Sequence, residues 1–231
     1  MRIETFGLAL AAVAVIPATS ADAAVVAKWT MATAITSATT GSNYTYGAAD
    51  QGENAAGSSL SGYHAQSGAA WSTPAGNGST YSLSSDKWSQ GDYYQIVVQT
   101  TGYENFQISW DQTRSSTGPS DFRMSYSTDG GATFTTAMNY SVIQAGATFS
   151  GTTTWSTSGS PQTEFANASG ILSTPSGTSS LIVRFVATGL NLGAGTNRID
   201  NITVNGTAIV PAPGAIALLA AAGLTGMRRR R

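Results

Sequence analysis

Hydrophobic and polar positions alternate with a period of two through most of the middle of the chain, and turn residues interrupt the alternation at short intervals. In "NFQISWDQ" (105–112), Phe106, Ile108 and Trp110 share one face, with Gln107, Ser109 and Asp111 on the other. In "DFRMSYST" (121–128), Phe122, Met124 and Tyr126 oppose Arg123, Ser125 and Ser127. "YYQIVVQT" (93–100) is β-branched and aromatic. "SLIVRFVAT" (180–188) is apolar on both faces, which predicts a central strand. "VVAKWTM" (25–31) and "RIDNITVNG" (198–206) read as the first and last strands. No stretch between them carries a helical period of useful length. The pattern predicts an all-β domain over residues 24–208: an antiparallel β-sandwich, jelly-roll-like, with first and last strands side by side. Thr33 to Ser85, rich in Gly, Ser and Ala, reads as long loops with a few short strands.

The two ends break this pattern. Arg2 precedes an apolar run from Phe6 to Ile16, Pro17 ends it, and Ala21-Asp22-Ala23 places small residues where a signal peptidase reads, with the cut before Ala24. Residues 1–23 are therefore expected to be a signal peptide. In the tail, 209–231, Pro211 and Pro213 rule out a helix continuous with the body. Ala215 to Met227 is apolar or small, and as a helix it would span about 20 Å against a hydrocarbon core of about 30 Å. Arg228, Arg229, Arg230 and Arg231 would stop translocation and stay cytoplasmic. Apolar helical segments are thus expected to flank the sandwich, the second acting as a short, temporary membrane stop.

A Pro-x-Pro motif, a short apolar segment and a terminal arginine cluster together resemble the PEP-CTERM sorting signal. Pro211, Ala212, Pro213 and Gly214 stand at the motif, with Ala212 where that family has Glu. The resemblance implies an exosortase-type processing enzyme as partner, membrane attachment through the tail before processing, and a destination in the cell envelope or extracellular matrix. The stretch from Tyr93 to Gly206 is also similar to a recurrent module of such exported proteins, which implies a jelly-roll, lectin-like body and assigns no catalytic residue.

Composition narrows the remaining choices. Only 10% of the 231 residues are charged, so hydroxyls and amides carry solubility. Between Ala24 and Pro213 stand six basic and ten acidic residues, a net of −4 with no basic run, which argues against a nucleic-acid partner. The absence of cysteine removes disulfides and thiolate chemistry.

Candidate chemistry is sparse. "STDGGATF" (127–134) resembles the Asp-box of sialidase-like propellers, but it occurs once, and a propeller needs it repeated. Its local content is a hairpin turn in which Asp129 accepts turn hydrogen bonds and Gly130-Gly131 supply positive φ, with Thr133 and Phe134 continuing into the next strand. The lone His64 lies in a Gly/Ser-rich stretch without a nucleophile elbow and reads as a loop residue. Asp111, Asp121 and Asp129 near strand ends read as turn caps, so no enzymatic reaction is assigned; a glycan-acting hydrolase is the second alternative, because it needs a carboxylate pair. Asp200 shares parity with Ile202 and Val204 and is expected to point inward, held by Arg198, a backbone turn or a metal. No cofactor is called for, although oxygen ligands suffice for a structural calcium. Six Asn-x-Ser/Thr sequons begin at Asn43, Asn77, Asn139, Asn167, Asn201 and Asn205. A structural or adhesive role leads, and polysaccharide binding is the first alternative. Trp71, Trp88 and Trp155, in Ser/Thr/Gly-rich contexts, are the candidate glycan contacts; Trp29 and Trp110 are expected in the core.

Overall fold

The computed structural model describes residues 23–35, 39–145, 154–155, 157–189 and 195–210. Nearly all of the expected signal peptide and all of the tail from Pro211 lie outside the described residues, as do the apolar helices expected there. Among the described residues no helix is long and apolar enough to cross a membrane.

Among the described residues there are fourteen strands: β1 (Ala23–Trp29), β2 (Thr39–Thr40), β3 (Asn43–Ala48), β4 (Ser59–Tyr63), β5 (Ala70–Ser72), β6 (Leu83–Ser85), β7 (Tyr93–Gln99), β8 (Tyr103–Arg114), β9 (Asp121–Ser127), β10 (Thr135–Ser141), β11 (Ile143–Gln144), β12 (Ala166–Ala168), β13 (Ser180–Ala187) and β14 (Asn197–Ala208). One sheet has six strands in the order β10-β9-β13-β7-β4-β3. The other has eight, built on the long antiparallel pair β8-β14. β14 meets β6 along its first residues and β1 along its second half, so the first and last strands are neighbours as expected. β13 is hydrogen-bonded to β7 on one side and β9 on the other, as its two apolar faces predict.

Alternation explains how the sheets pack. Tyr94, Ile96 and Val98 of β7, Leu181, Val183 and Phe185 of β13, and Phe106, Ile108 and Trp110 of β8 are all buried in one hydrophobic core. Contact crosses from sheet to sheet where Trp110 of β8 meets Phe185 of β13, with ring centroids 4.8 Å apart. The result is a β-sandwich. Each such fully buried side chain contributes roughly 1.5–3 kcal/mol relative to exposure.

The region read as long loops with a few short strands holds the short strands β2 to β6. β3 and β4 form an antiparallel pair that extends the six-stranded sheet beyond β7. Its Gly and Ser content hides the alternation, yet Gly62 has a packing reason: a Cβ there would lie 2.3 Å from the Trp71 ring.

Candidate functional site

The outer face of the six-stranded sheet carries two rows of side chains that cross every strand. In-register partners share a face of a sheet, so the registers define each row. The first row runs Asn43, Tyr63, Tyr93, Val186, Arg123, Asn139. The second runs Thr45, Ser61, Gln95, Arg184, Ser125, Thr136. Their strand neighbours Leu60, Tyr94, Phe185 and Met124 fill the core, which fixes these rows as outward. At the strand spacing of a sheet, six strands span about 24 Å.

Tyr63 and Tyr93 stack on this face with centroids 5.2 Å apart and planes at 22°. Tyr63 is 39% exposed, one of few large hydrophobic side chains that open to solvent. Beside the pair, the Arg184 guanidinium lies 4.3 Å from the Tyr93 ring centroid and 4.2 Å from that of Phe134. Its Nε donates to Gln95 Oε1 at 2.8 Å. Tyr63, Tyr93 and Gln95, with Asn43, Thr45 and Ser61, line a shallow groove of about 200 Å³.

The tryptophans proposed from sequence are elsewhere. Trp71 and Trp88 are fully buried and offer no face to a ligand. Trp71 sits in β5 with its Nε1 donating to Gly41 O, and Trp88 Nε1 donates to Ser85 O. Trp155 is 7% exposed and packs edge-on against Phe165. A polar sequence context does not mark an exposed indole, because large rings are also what closes the ends of a sandwich. Trp29 and Trp110 are buried as expected.

His64 lies in a loop directly after β4, as expected, but it is not at the surface. It is fully buried between Trp71 and Trp88, whose rings meet it edge-on at 4.8 and 4.6 Å. Its Nδ1 donates to Asp92 Oδ2 at 2.8 Å, and its Nε2 lies 2.9 Å from Ser85 Oγ. This is the hydrogen-bond order of a Ser-His-Asp relay. Here Ser85 is 1% exposed, so no substrate carbonyl reaches its Oγ in this conformation. Asp92 instead ties loops together: it also accepts from the Ala65 and Ser89 backbone N–H groups.

Asp200 does not point inward. The register shifts between Asp200 and Thr203, and this bulge, with Asn201 at φ 48°, breaks the parity with Ile202. Asp200 pairs in register with Asp111 on the outer face of the eight-stranded sheet and is buried there under residues 76–79. Its oxygens accept from the backbone N–H of Asn77 (2.7 Å) and Asn201 (2.7 Å) and sit 2.6 Å from Ser79 Oγ. Of the partners expected, the backbone turn is the one present, and Arg198 makes no hydrogen bond to it. Amide hydrogens directed at both oxygens do not suit calcium, which needs lone pairs directed at it. Burial pushes the Asp200 carboxyl up to about 7, and neighbouring Asp111 adds to the rise. Burial raises Asp111 as well, opposed by amide hydrogen bonds from Asn201 and Asn77.

Of the three carboxylates read as turn caps, Asp129 alone is one; Asp111 is buried within β8 and Asp121 binds hydroxyls at the β9–β10 edge. Asp129 accepts from Ser127 Oγ, the Thr133 N–H and Thr133 Oγ1, which holds its carboxyl well below the usual carboxylate range. Gly130 and Gly131 take φ of 73° and 91°, as the turn requires. β10 starts at Thr135, so Thr133 and Phe134 belong to the turn rather than the strand. Asp121 accepts from the Ser120 and Ser141 hydroxyls.

The aromatic pair was legible in part. "YYQIVVQT" already places Tyr93 and Gln95 opposite Tyr94 and Ile96, and "LIVRFV" places Arg184 opposite Phe185. What brings Tyr63 to Tyr93 is the pairing of β4 with β7, which no local pattern announces.

No protein-family model and no curated protein matches the chain. Among solved structures it is similar to the K3 cleaved adhesin domain of Lys-gingipain from Porphyromonas gingivalis, at 14% identity over 80% of this chain and 99% of that one, TM-score 0.42. It is also similar to the CBM22-1–GH10 modules of a Clostridium thermocellum xylanase complexed with xylohexaose, at 12% identity over 82% of this chain and 30% of that one, TM-score 0.42. A family 11 carbohydrate-binding module of a Clostridium thermocellum cellulosomal cellulase matches at 12% identity over 76% of this chain and 99% of that one, TM-score 0.37.

Proposed function

We propose that this chain is an exported surface or matrix protein whose jelly-roll-like sandwich adheres to polysaccharide through the outer face of the six-stranded sheet. The stacked pair of exposed Tyr63 and half-buried Tyr93 carries the reading. An aromatic face covers the apolar face of a sugar ring, and the amides and hydroxyls of Asn43, Ser61 and Gln95 beside it are suited to its hydroxyl groups. The groove is smaller than the roughly 300–1,000 Å³ of pockets that engulf a small ligand. A shallow groove on a broad sheet face suits a polymer lying across the strands.

Export follows from the same reading: a signal peptide over 1–23 delivers the body, and the tail over 209–231 is presented to an exosortase-type enzyme at Pro211 to Pro213. No reaction is assigned to the body, since the hydrogen-bonded carboxylates at Asp111 and Asp200 are better suited to holding the fold than to moving protons to a substrate.

Retention of the full chain on a broad panel of insoluble glycans tests the binding reading. Wild type is expected to be retained on at least one, with Tyr63→Ala and Tyr93→Ala each weakening retention about tenfold, the scale of one lost stacking contact. Absence of retention across the panel, or full retention by both variants, would overturn it.

A further inference from the structure

We infer that the polysaccharide bound on this face is acidic, and that Arg184 receives a sugar carboxylate while Tyr63, backed by Tyr93, covers a neighbouring ring. This rests on the binding reading above and names its ligand class.

The guanidinium carbon of Arg184 lies over two rings, those of Tyr93 and Phe134. Its Nε is committed to Gln95. The two terminal nitrogens have no acceptor among the described residues. Arg184 is half-buried, and a carboxylate arriving at the edge left open by the rings would meet its terminal nitrogens with two parallel hydrogen bonds. The stacking holds the fork in one orientation before the ligand arrives, which lowers the entropy lost on binding.

The surrounding charge agrees. Arg123 stands in the adjacent row on the same face and is exposed, without an ion pair among the described residues. The acidic residue that shares this strand face is Asp121, and its oxygens accept from Ser120 and Ser141. The body is acidic overall, with a net of −4 between Ala24 and Pro213, and two of its basic residues, Arg123 and Arg184, stand together on this face, with Asp121 beside them and Asp129 in the adjoining turn.

The test is affinity electrophoresis of the full chain in gels containing polygalacturonate, alginate, the same two polymers after carboxyl reduction, dextran sulfate, or neutral galactan, at about 150 mM salt to screen diffuse attraction. Retardation by polygalacturonate or alginate is expected, weakened about tenfold or more by carboxyl reduction. Arg184→Gln should lose it by a similar factor, and Arg184→Lys should lose most of it, because an ammonium cannot form the fork. Arg184 lies on the outer face, so an unchanged melting temperature should confirm that both variants fold.

Equal binding of the native and reduced polymers would overturn the inference, as would full affinity in Arg184→Gln or dextran sulfate matching the uronates. If only the neutral polymer is bound, and Tyr63→Ala abolishes that binding, the acidic-ligand inference falls and the binding reading stands. No retardation by any polymer, together with no retention on the insoluble panel, removes both.

Discussion

Asp111 and Asp200 face each other across β8 and β14, and Asn77 joins them. Its backbone N–H donates to Asp200 Oδ2 at 2.7 Å and its side-chain amide donates to Asp111 Oδ2 at 2.9 Å. Ser79 Oγ sits 2.6 Å from Asp200 Oδ2 and 2.8 Å from Tyr81 O. A hydroxyl has one proton, and Tyr81 O can only accept it. When Ser79 donates to Tyr81, a proton on Asp200 fills the shorter contact. The loop carrying Asn77 and Ser79 is thus closed over the sheet by a carboxyl that favours its neutral form.

This sets a pH dependence. In the unfolded chain Asp200 ionises near the ordinary 3.8, whereas the folded protein keeps the proton to about 7. Between these values the folded state binds more protons, so stability rises as pH falls. The contribution is fully present below about pH 4 and lost above about pH 7, on the order of 4 kcal/mol. Asp111 is raised too and adds in the same direction. Urea melts of wild type at pH 8 and pH 5 should show the gain, and Asp200→Asn should flatten most of it. An equal slope in that variant would refute the assignment.

Asp92 should matter more than Ser85. Asp92→Ala removes the acceptor for two backbone N–H groups and for His64, and is expected to cost about 3 kcal/mol or more. Ser85→Ala leaves His64 paired with Asp92 and should cost about 1 kcal/mol. Chemical denaturation gives the order, and the reverse order would contradict the structural role of the relay.

Gly62→Ala should destabilise by about 1–3 kcal/mol, because its methyl group has no room against the Trp71 ring. Trp71 cannot retreat easily, since it stacks on Tyr44 at 5.7 Å and meets His64 at 4.8 Å. Trp71→Phe in the same protein should recover part of the loss, a coupling readable in a double-mutant cycle. Strict additivity would mean the two positions do not meet.

Processing at the ends is read by intact mass of the native protein from envelope and medium fractions. A species beginning at Ala24 and ending near Pro213 is expected. A mass that still includes Arg231 would make the tail a retained anchor and overturn the processing proposal.

Most of the sandwich was legible in the chain. Alternation is a local property of a strand with one buried face, so β7, β8, β9, β13 and β14 could be read from "YYQIVVQT", "NFQISWDQ", "DFRMSYST", "SLIVRFVAT" and "RIDNITVNG". The Asp129 turn was equally local, because its hydrogen bonds close within six residues. The limits are physical as well. A bulge at Asn201 reverses a strand's faces without an outlying residue type to announce it, so Asp200 lands on the outer face. Burial of His64, Trp71 and Trp88 depends on which loops fold over the sandwich, and their polar neighbours misdirect the reading. The sequence alone thus determined the strands and which residues share each face, because side-chain direction follows the backbone's own period. Which faces meet water, and that Tyr63, Tyr93 and Arg184 stand together on one of them, was decided by pairing between segments about thirty and about ninety residues apart, where contact depends on register and closure of the whole fold.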